Sequence, residues 1–421
     1  MYWMRDYSTK VISTSCLLVA IVQAPSMAQT NLIVQPIQSE PFHAQLTDID
    51  HEWRIHFRTA DAVTVVPIND LLYYGAYREN NNRSLVVLSD GSILAADVLA
   101  FNGESLLVFN ELFGEFLLPS EQLRGVILTL PTATTRHDQL LHQIQHEALQ
   151  NDRVILDNGD VLEGLFTGMP QNDSHVNDTA ATTLWITLKS PRQSTKVPFE
   201  KVTAFFFNSP LATTARPLEQ AVVIGFADGS KLTVSSLEIH DKNITVSLLT
   251  NVRLSANAKT FFSQVRYLRP LKNDAIFLSD EKPVGFKSIP FLKRKWKYQN
   301  DRNVLNGQLR TRGIVYAKGL GMHSTSRLAY DLPKGFRLFQ AEVALDDVAG
   351  LHGSVILRVF LIPQDGQPQL AFESPVIRGG NKPLPISVTL NDARLIALIV
   401  EFADRGDTLD HANILNARFV R

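Results

Sequence analysis

The chain has 421 residues, with 45% apolar residues, 20% charged residues and a formal net charge of −1 at pH 7. This composition is typical of a globular protein and excludes a disordered or fibrous one. The near-neutral charge excludes a general electrostatic attraction to nucleic acid or to an anionic membrane. At ~100–200 residues per domain, the length predicts two or three domains.

The N-terminus has the features of an export signal. Arg5 and Lys10 supply a positive segment, residues 11–22 are apolar, and residues 26–28 are small where a signal peptidase would cleave. The apolar run is shorter than the ~20 residues that span a bilayer. We therefore predict a signal peptide over residues 1–28 and an exported chain that is periplasmic, cell-surface or secreted. The mature chain should have no transmembrane anchor.

Removal of this leader would change the cysteine content and the net charge of the mature chain. Cys16 is the only cysteine, so its removal would leave no thiol catalyst, no disulfide and no cysteine-ligated metal. Removal of Arg5, Asp6 and Lys10 would take away a net charge of +1 and leave −2. We expect the mature protein to be held together by burial alone.

Residues 29–270 carry a recurring hairpin pattern. Asp-Gly or Asn-Gly between apolar runs predicts a tight type I′ turn, in which both central residues have positive φ. The dipeptides are Asp90-Gly91, Asn158-Gly159 and Asp228-Gly229, so the turn glycines lie 68 and 70 residues apart. This spacing predicts repeated small β-barrel or β-sandwich units near residues 83–130, 152–208 and 220–269. Residues 53–74 resemble half of a further copy.

One helix is predicted inside this region, over residues 136–150, which contain neither proline nor glycine. Its apolar residues fall at helical spacing: Leu140, Leu141, Ile144 and Ala148. His142 and His146 lie four residues apart, but two ligands are fewer than a catalytic zinc needs, and the glutamate of a zinc-protease motif is absent. We interpret the pair as part of a solvated helix face.

Residues 271–308 connect this region to the C-terminal part of the chain. Within them, residues 291–298 are basic with interleaved aromatic residues, a pattern found in proteins that bind single-stranded nucleic acid. The same pattern is typical of a strand that turns Phe291, Trp296 and Tyr298 inward and its lysines outward. Because no extended basic surface accompanies it, we favour the strand and expect no nucleic-acid partner.

Residues 313–332 predict a glycine-rich loop followed by a strand. Gly319 and Gly321 leave room for positive φ or for a second chain segment passing close by. The apolar residues then alternate as in a half-buried strand: Leu328, Tyr330 and Leu332. His323 lies where the loop becomes a strand, which is a common position for a binding group.

An ordered series of motifs resembles the NPCBM domain, a carbohydrate-binding module found beside family 98 glycosyl hydrolases. The motifs occupy residues 275–280, 301–304, 316–324, 339–343, 353–359, 376–380, 385–388 and 402–412. The resemblance covers the C-terminal third and implies a galactose-binding-like jelly-roll β-sandwich over residues 271–421. The predicted fold class is therefore all-β, with N-terminal repeated small barrel or sandwich units, one helix and this C-terminal sandwich.

This chain departs from the family pattern at one place. After Asp410-His411-Ala412, family members usually continue with an acidic residue and tryptophan, whereas this chain has Asn413 and Ile414. If the family's indole packs in the core, the change has little effect. If the indole contacts sugar, the binding site of this chain is degenerate.

Two acidic clusters admit three interpretations. One contains Asp346 and Asp347, and the other is the loop over residues 404–411, with three aspartates, an arginine and a histidine. Such carboxylates cap loops and form internal ion pairs, or bind structural Ca²⁺ or a ligand, or act as a glycosidase pair. For calcium, the candidate ligands are Asp346, Asp347 and Asp410. No other cofactor is required.

The resemblance leads us to expect an exported, non-catalytic protein that binds a galactose-type glycan. Sugar recognition needs an aromatic surface with polar groups around it. The candidate binding residues are Tyr316, His323, Arg378, Asp404, Asp407 and His411, and no catalytic residue is assigned. Two alternatives stay open: a structural or protein-interaction role with an envelope protein as partner and a degenerate sugar site, and a glycoside hydrolase.

Overall fold

The regular structure of the described residues is mainly antiparallel β-strand, so the all-β prediction is confirmed. A computed structural model describes residues 31–80, 82–169, 185–189, 194–208, 220–289, 291, 294–391, 393–404 and 406–421. The predicted signal peptide and Cys16 lie outside the described residues. Within the described residues, no helix is both long and apolar enough to cross a membrane.

Between Leu32 and Pro270, the described strands form four groups with the same order of pairing. In each group, the strands before the last form antiparallel hairpins, and the last strand pairs with the first strand instead of with the strand before it. The first two groups contain β1 Leu32–Pro36, β2 Phe42–Ile49, β3 Arg54–Arg58, β4 Val63–Pro67 and β5 Leu71–Gly75, then β6 Leu85–Leu88, β7 Ile93–Ala95, β8 Asp97–Phe101, β9 Ser105–Asn110, β10 Gly114–Pro119 and β11 Leu123–Ile127. In the second group, β7 and β8 together take the place of one second strand.

The other two groups follow the same plan. They contain β12 Asp152–Leu156, β13 Val161–Gly168, β14 Trp185–Lys189, β15 Ser194–Pro198 and β16 Val202–Phe206, then β17 Val222–Phe226, β18 Lys231–His240, β19 Asn243–Leu248, β20 Arg253–Asn257 and β21 Val265–Pro270. The last strands also join groups, because β5 pairs with β21 and β11 pairs with β16. The four groups therefore share a continuous apolar core.

A short helical segment precedes the last strand of every group. In the first three groups it is a single 3-10 turn, at Ile68–Asp70, Ser120–Gln122 and Phe199–Lys201, and in the fourth it is the helix α2, Ala258–Gln264. Helix α2 was not predicted. Its start is set by Asn257, whose side chain accepts a hydrogen bond from the Thr260 backbone N–H at 3.2 Å.

The Asp-Gly and Asn-Gly dipeptides occupy tight hairpin turns, but the type I′ prediction is wrong. Gly91, Gly159 and Gly229 have φ of 83°, 89° and 92°, whereas the residues before them do not have positive φ. The Gly91 N–H donates to the Leu88 carbonyl at 3.0 Å, and the Leu88 N–H donates to the Ser92 carbonyl at 2.9 Å. This is a three-residue loop that ends in a left-handed glycine. The preceding Asp or Asn caps the turn instead, as where Asp90 accepts from the Ser92 N–H at 2.8 Å.

The predicted helix is present as α1, Thr134–His146. It ends before the predicted end at residue 150, because Glu147 has an extended backbone with φ of −75° and ψ of 126°. Ala148 therefore lies outside the helix. Leu140, Leu141 and Ile144 are buried and pack against the strands of the second and third groups.

The C-terminal part of the chain is a sandwich of two sheets. Its strands are β22 Ile276–Phe277, β23 Gly285–Ser288, β24 Gln299–Asn300, β25 Leu309–Thr311, β26 Ile314–Tyr316, β27 Gly319–His323, β28 Ser326–Asp331, β29 Leu338–Leu345, β30 Ser354–Ile362, β31 Gln369–Glu373, β32 Ile377–Arg378, β33 Leu384–Thr389, β34 Leu395–Phe402 and β35 His411–Val420. The first sheet has the order β24–β27–β35–β29–β33, with β22 beside β35. The second has the order β23–β28–β34–β30–β31, with β32 beside β30, and β25 and β26 form a separate hairpin.

The inward faces of the two sheets make the sandwich core. Leu328 and Tyr330 of β28 are buried, as their alternation predicted, and they pack with Phe339 and Phe419 of the first sheet. Each fully buried apolar side chain of this size stabilises the fold by ~1.5–3 kcal/mol. The chain crosses from the first sheet to the second between His323 and Ser326, which places His323 at an end of the sandwich.

Residues Asn31–Arg421 form one compact unit, in which the N-terminal strands pack against the sandwich. Leu72 of β5 contacts Phe277 and Val420 in one apolar cluster between them. A buried ionic network also joins the two regions, since Arg310 of β25 pairs with Glu79 and with Asp138 of α1. The domain boundary between residues 270 and 271 stays a prediction.

Candidate functional site

Two histidines meet at the end of the sandwich where β27 and β35 pair. His323 ends β27 and His411 begins β35, and the two are direct partners in the antiparallel register. Their ring centroids lie 5.6 Å apart. Gly319 allows β27 and β35 to pair this closely, because a Cβ there would lie 2.6 Å from the Ile414 carbonyl oxygen. The expected approach of the His323 segment to the loop before His411 is therefore observed.

Trp296 stacks on this histidine pair. Its ring lies 4.4 Å from that of His323 at an interplanar angle of 10°, and 5.8 Å from that of His411. The guanidinium carbon of Arg294 lies 3.9 Å from the centre of the indole. The imidazole of His323 and the guanidinium of Arg294 thus both pack on the indole ring. We call Arg294, Trp296, His323 and His411 the Trp–His cluster.

The strand predicted over residues 291–298 is wrong. Residues 294–298 have no regular secondary structure, and β24 begins only at Gln299. Phe291 is 58% exposed instead of facing inward, whereas Tyr298 packs against the sandwich core as predicted. Trp296 packs on His323 at the end of β27. The segment over residues 294–298 therefore belongs to the site and not to a sheet.

Both imidazoles of the cluster are held in the neutral form near pH 7. Burial lowers the pKa of His323, although a bond to the Ser324 carbonyl and the charge of Asp407 partly oppose this. Burial, His323 and Arg294 lower the pKa of His411 to about 4. The Nδ1 of His323 lies 2.7 Å from the Ser324 carbonyl oxygen, so Nδ1–H donates and Nε2 is left as an acceptor.

His411 was expected to be held by a carboxylate or a backbone carbonyl, and this prediction is wrong. Its Nδ1 is buried and has no hydrogen-bond partner among the described residues. The neighbouring carboxylate of Asp410 is directed elsewhere, because it accepts from Ser324 Oγ at 2.5 Å and from the Ser354 N–H at 2.8 Å. Burial raises the pKa of Asp410 to about 6. Asp410 therefore fastens the two segments that lead into the site.

An exposed aromatic pair lies near the same loop. Phe291 and Phe402 are 58% and 42% exposed, and their rings meet edge to face at 5.8 Å. Gly406 packs against Phe291, since a Cβ at this glycine would lie 3.6 Å from the ring. The loop over residues 404–411 thus contacts both the aromatic pair and the histidines. We call Phe291 and Phe402 the Phe pair.

Two other predicted site residues form an ion pair at the start of this loop. Arg378 Nη1 donates to both carboxylate oxygens of Asp404, at 3.0 and 2.8 Å. Bonds from Ser354 and from Arg378 lower the pKa of Asp404. Strand β30 brings Arg378 and Asp404 together, because it pairs both with β32, which contains Arg378, and with β34, which ends just before Asp404.

Tyr316 is the predicted site residue that the structure places elsewhere. It ends β26, and it lines a cavity together with Tyr77 and Tyr267 of the N-terminal region. Burial raises the pKa of its hydroxyl well above the usual range. The sequence could not separate it from the other candidates, because it lies only seven residues before His323.

The three candidate calcium ligands are not gathered in one place. Asp346 accepts from the amide groups of Asn303 and Asn413 and from two backbone N–H groups, at 2.7–3.2 Å. Asp347 accepts from the N–H groups of Arg312 and Gly313 at 2.6 and 2.7 Å. These contacts are those of loop-capping carboxylates. Calcium binding stays a prediction.

Within the described residues, one group of three possible metal ligands is close enough to share an ion: Glu79, His137 and Asp138. The guanidinium of Arg310 already pairs with two of these three residues, since its Nη2 lies 2.5 Å from Glu79 and 3.0 Å from Asp138. His142 and His146 approach each other on α1, with Nδ1 atoms 2.9 Å apart, but they supply only two ligand atoms. The interpretation of these histidines as an exposed helix face agrees with this geometry.

Ile414 lies in the sandwich core and is fully buried. The position at which family members carry tryptophan is thus a core position in this chain. Its replacement by isoleucine changes core packing and does not remove an aromatic group from the surface. Asn413 beside it is also buried, and its amide donates to Asp346 at 2.7 Å.

Sequence reasoning did not assign the aromatic rings of the site, Trp296 and the Phe pair, or the arginine that packs on the indole, Arg294. One signal was available, because residues 291–298 combine aromatic and basic residues more densely than a sheet strand requires. The predicted strand turned Phe291 and Trp296 inward, and Phe402 was noted only as part of a family motif. No local pattern shows which distant residue a ring will stack on.

Comparisons with known proteins place the C-terminal third in a family. Residues 279–420 match the NPCBM/NEW2 domain. A protein of Renibacterium salmoninarum, named as an endo-alpha-N-acetylgalactosaminidase, is 30% identical over 112 residues, which cover 27% of this chain. The chain spans only 7% of the length of that relative.

Two solved structures share low similarity with the chain. CBM51 from Clostridium perfringens GH95 in complex with methyl-galactose is 21% identical, over 35% of this chain and 99% of its own, with a TM-score of 0.30. CBM51-2 in complex with GlcNAc and INT domains from Clostridium perfringens ZmpB is 20% identical, over 47% and 43% of the two chains, with a TM-score of 0.31. It is the family model, over residues 279–420, that shows the C-terminal third to match the NPCBM/NEW2 domain, as its ordered motifs predicted.

Proposed function

We propose that this chain is an exported, non-catalytic protein whose C-terminal sandwich binds a glycan at the Trp–His cluster and the Phe pair. The observation that carries the proposal is the stack of Trp296 on His323, beside two exposed phenylalanine rings. The NPCBM/NEW2 match over residues 279–420 supports it. A galactose-type glycan is the first ligand to test, because the family resemblance implies one.

The chemistry of the site suits a sugar. Exposed aromatic rings pack against the apolar C–H face of a sugar ring, and both members of the Phe pair offer such a surface. Neutral imidazoles accept and donate hydrogen bonds to hydroxyl groups without the cost of desolvating a charge. Asp404 and Arg378 add charged partners at the rim, where they stay exposed.

Glycan arrays followed by titration calorimetry test this proposal. Phe402→Ala should weaken binding of a galactose-terminated glycan by about 1–3 kcal/mol, the usual cost of losing a buried aromatic contact. Phe286→Ala is the matched control, because Phe286 is 38% exposed on the second sheet and lies outside the site. Equal effects of the two substitutions, or an array without any bound glycan, would contradict a sugar site here.

One observation favours the second candidate, a protein-interaction role in the cell envelope with a degenerate sugar site. Arg294 and His323 both pack on the indole of Trp296, which leaves less of its surface for a sugar. Arg294→Ala separates the two candidates. If the guanidinium blocks a sugar site, this change should strengthen glycan binding, whereas a surface that binds protein through Arg294 should lose its partner.

No catalytic role is proposed for the acidic residues. Asp346 and Asp410 are buried and accept hydrogen bonds from protein groups, and Asp404 is held by Arg378. Incubation of the purified protein with bound glycans should release no new reducing ends. If the wild type released sugar and the Asp407→Asn variant did not, the hydrolase alternative would be restored.

Export and duplication belong to the same proposal. The four groups of strands with one order of pairing support a duplicated unit, which would serve as a platform for the sandwich. Cleavage of the leader after Ala28 should give a mature chain that begins at Gln29, as N-terminal sequencing of exported protein would show. A mature chain that retains Cys16 would contradict a cleaved signal peptide.

A further inference from the structure

A cavity of about 260 Å³ lies between the N-terminal strands and the sandwich, away from the Trp–His cluster. Its N-terminal lining includes Tyr77, His142, Lys231 and Tyr267, and its C-terminal lining includes Arg302 and Tyr316. Drug-sized ligands occupy about 300–1,000 Å³. This cavity therefore suits a smaller ligand, of roughly monosaccharide size.

The acidic groups of the lining are already neutralised by neighbouring residues. Asp138 is paired with Arg310 at 3.0 Å and accepts from Gln308. Asp301 is paired with Lys318 at 2.7 Å and accepts from the Gly319 N–H at 3.0 Å. The direct ion pairs of both carboxylates are therefore made with Arg310 and Lys318, although their charges also act on Arg302.

The basic groups of the lining lack such partners. Lys231 Nζ lies 5.0 Å from the centre of the Tyr77 ring and has no hydrogen-bond acceptor or ion-pair partner among the described residues. Burial lowers the pKa of this amino group. Arg302 donates to the Asn306 carbonyl at 3.2 Å but forms no ion pair within the described residues. The charges of Asp138 and Asp301 act on Arg302, and that of Glu79 acts on Lys231, but within the described residues no carboxylate forms a direct ion pair with either group.

Aromatic rings and hydroxyl groups complete the lining. The Tyr77 hydroxyl donates to the Gly229 carbonyl at 2.8 Å, which fixes this ring against the cavity. Tyr267 packs on Tyr77 with ring centroids 6.3 Å apart. Tyr267 and Tyr316 also line the cavity, and within the described residues their hydroxyl groups form no hydrogen bond. A ligand with both a carboxylate and hydroxyl groups would satisfy the cations and these tyrosines together.

We propose that this cavity is a second binding site, which takes a small carboxylate-bearing ligand of monosaccharide size, such as a hexuronate. Lys231 and Arg302 bind the carboxylate, and the rings of Tyr77 and Tyr267 contact the body of the ligand. The site joins the two regions of the chain, so a bound ligand stabilises their contact. It is independent of the glycan site proposed above.

Titration of the full chain with glucuronate and galacturonate tests the proposal, with glucose and galactose as neutral controls. The uronates should bind saturably and the neutral sugars should not. Lys231→Met should weaken uronate binding at least about tenfold, since a hydrogen bond to a charged group contributes about 1.5–3 kcal/mol. Lys242→Met is the matched control, because Lys242 is exposed in the turn of the same hairpin and should leave binding unchanged.

Thermal melting separates a binding lysine from a structural one. Lys231→Met should keep or raise the melting temperature, because it removes a desolvated charge without a partner. Added uronate should raise the melting temperature of the wild type and of Lys242→Met but not of Lys231→Met. If Lys231→Met fails to fold, Arg302→Gln serves as the second variant and should also weaken binding.

Three results would overturn the proposal. They are no uronate binding at millimolar concentrations, equal binding of neutral sugars, and unchanged uronate affinity in both Lys231→Met and Arg302→Gln. Trp296→Ala should leave uronate binding intact. A loss of uronate binding in that variant would instead place the uronate at the glycan site.

Discussion

The N-terminal strand groups and the C-terminal sandwich differ in how they use buried polar residues. Of the buried polar and charged residues, 8 lie before Leu271 and 16 lie after it, among the residues that the structure describes. The N-terminal groups rely on local hairpins and a shared apolar core. The sandwich instead buries Asp346, Asp410 and both histidines of its candidate site.

This difference shows where function is expected. A buried polar group costs free energy unless it is hydrogen-bonded, so a fold that needs only stability has little reason to bury many. In the sandwich, the bonds of Asp410 position Ser324 and Ser354 around the histidine pair. The polar interior thus fixes the geometry of a surface site, whereas the N-terminal groups provide an apolar support.

The largest expected effect comes from the ionic network that joins the two regions. Arg310→Met removes the cation that pairs with Glu79 and Asp138 and leaves two carboxylates without their partner. Breaking a buried pair in this way costs about 3–5 kcal/mol. Urea denaturation should show this decrease in the free energy of unfolding.

Arg378→Met is the control for that experiment. Its partner Asp404 is exposed, and exposed ion pairs contribute little to stability. A similar loss in the two variants would mean that Arg310 contributes no more than a surface arginine. The two regions would then be joined by apolar contacts alone.

The next largest effect tests the polar interior of the sandwich. Asp346→Ala leaves the amides of Asn303 and Asn413 without their acceptor, at a cost of at least about 1–3 kcal/mol in the free energy of unfolding. Asp347→Ala should cost less, because its two N–H donors are accessible to water. Chemical denaturation of both variants checks the order.

The same pair of variants tests the calcium prediction. If Asp346 and Asp347 bind calcium, adding the ion should raise the melting temperature of the wild type and of neither variant. If they cap loops, calcium should change none of the three melting temperatures. The second outcome would leave capping as the role of both carboxylates.

Smaller effects are expected in the hairpin turns of the N-terminal groups. Gly91→Ala and Gly159→Ala force a side chain into a left-handed backbone, at a cost of about 1–2 kcal/mol. Gly229→Ala should cost more, because its Cβ would also lie 2.8 Å from the Asn80 backbone nitrogen, whereas the other two positions are open. Thermal unfolding should rank Gly229→Ala as the least stable of the three. Equal losses would mean that the Asn80 segment moves away without cost.

The smallest net effect is expected in the pH dependence of wild-type stability, because Asp346 and His411 act with opposite signs. The pKa of Asp346 is raised to about 6 by burial, so the folded state binds the proton more tightly than the unfolded state. The stability that Asp346 contributes should therefore fall as pH rises from about 4 to 6. His411 has the opposite sign, because its lowered pKa makes the unfolded state bind the proton more tightly between pH 4 and 6.5.

Unfolding measurements over this pH range test both signs. The stability of the wild type relative to Asp346→Asn should fall as pH rises from 4 to 6. The stability of the wild type relative to His411→Gln should rise over the same range. Parallel pH profiles for the wild type and both variants would show that neither group is perturbed by burial.

Several features were predictable from the sequence because their causes are local. Alternation of apolar residues identified β28, and the Asp-Gly and Asn-Gly dipeptides located three hairpin turns, since a left-handed backbone favours glycine wherever it occurs. The family motifs located the C-terminal sandwich. The type of turn was mistaken, because the Asp and Asn side chains cap the backbone and remove the need for a second positive φ.

The tertiary structure alone decided the rest. Trp296 stacks on His323, Arg310 pairs with Asp138, and Lys231 shares a cavity with Arg302, although the members of each pair are distant in the chain. The same sequence pattern around residue 296 fits an inward core ring equally well. Which partner a ring or a charge meets depends on how sheets and loops pack, because contact free energy depends on distance in space and not on position in the chain.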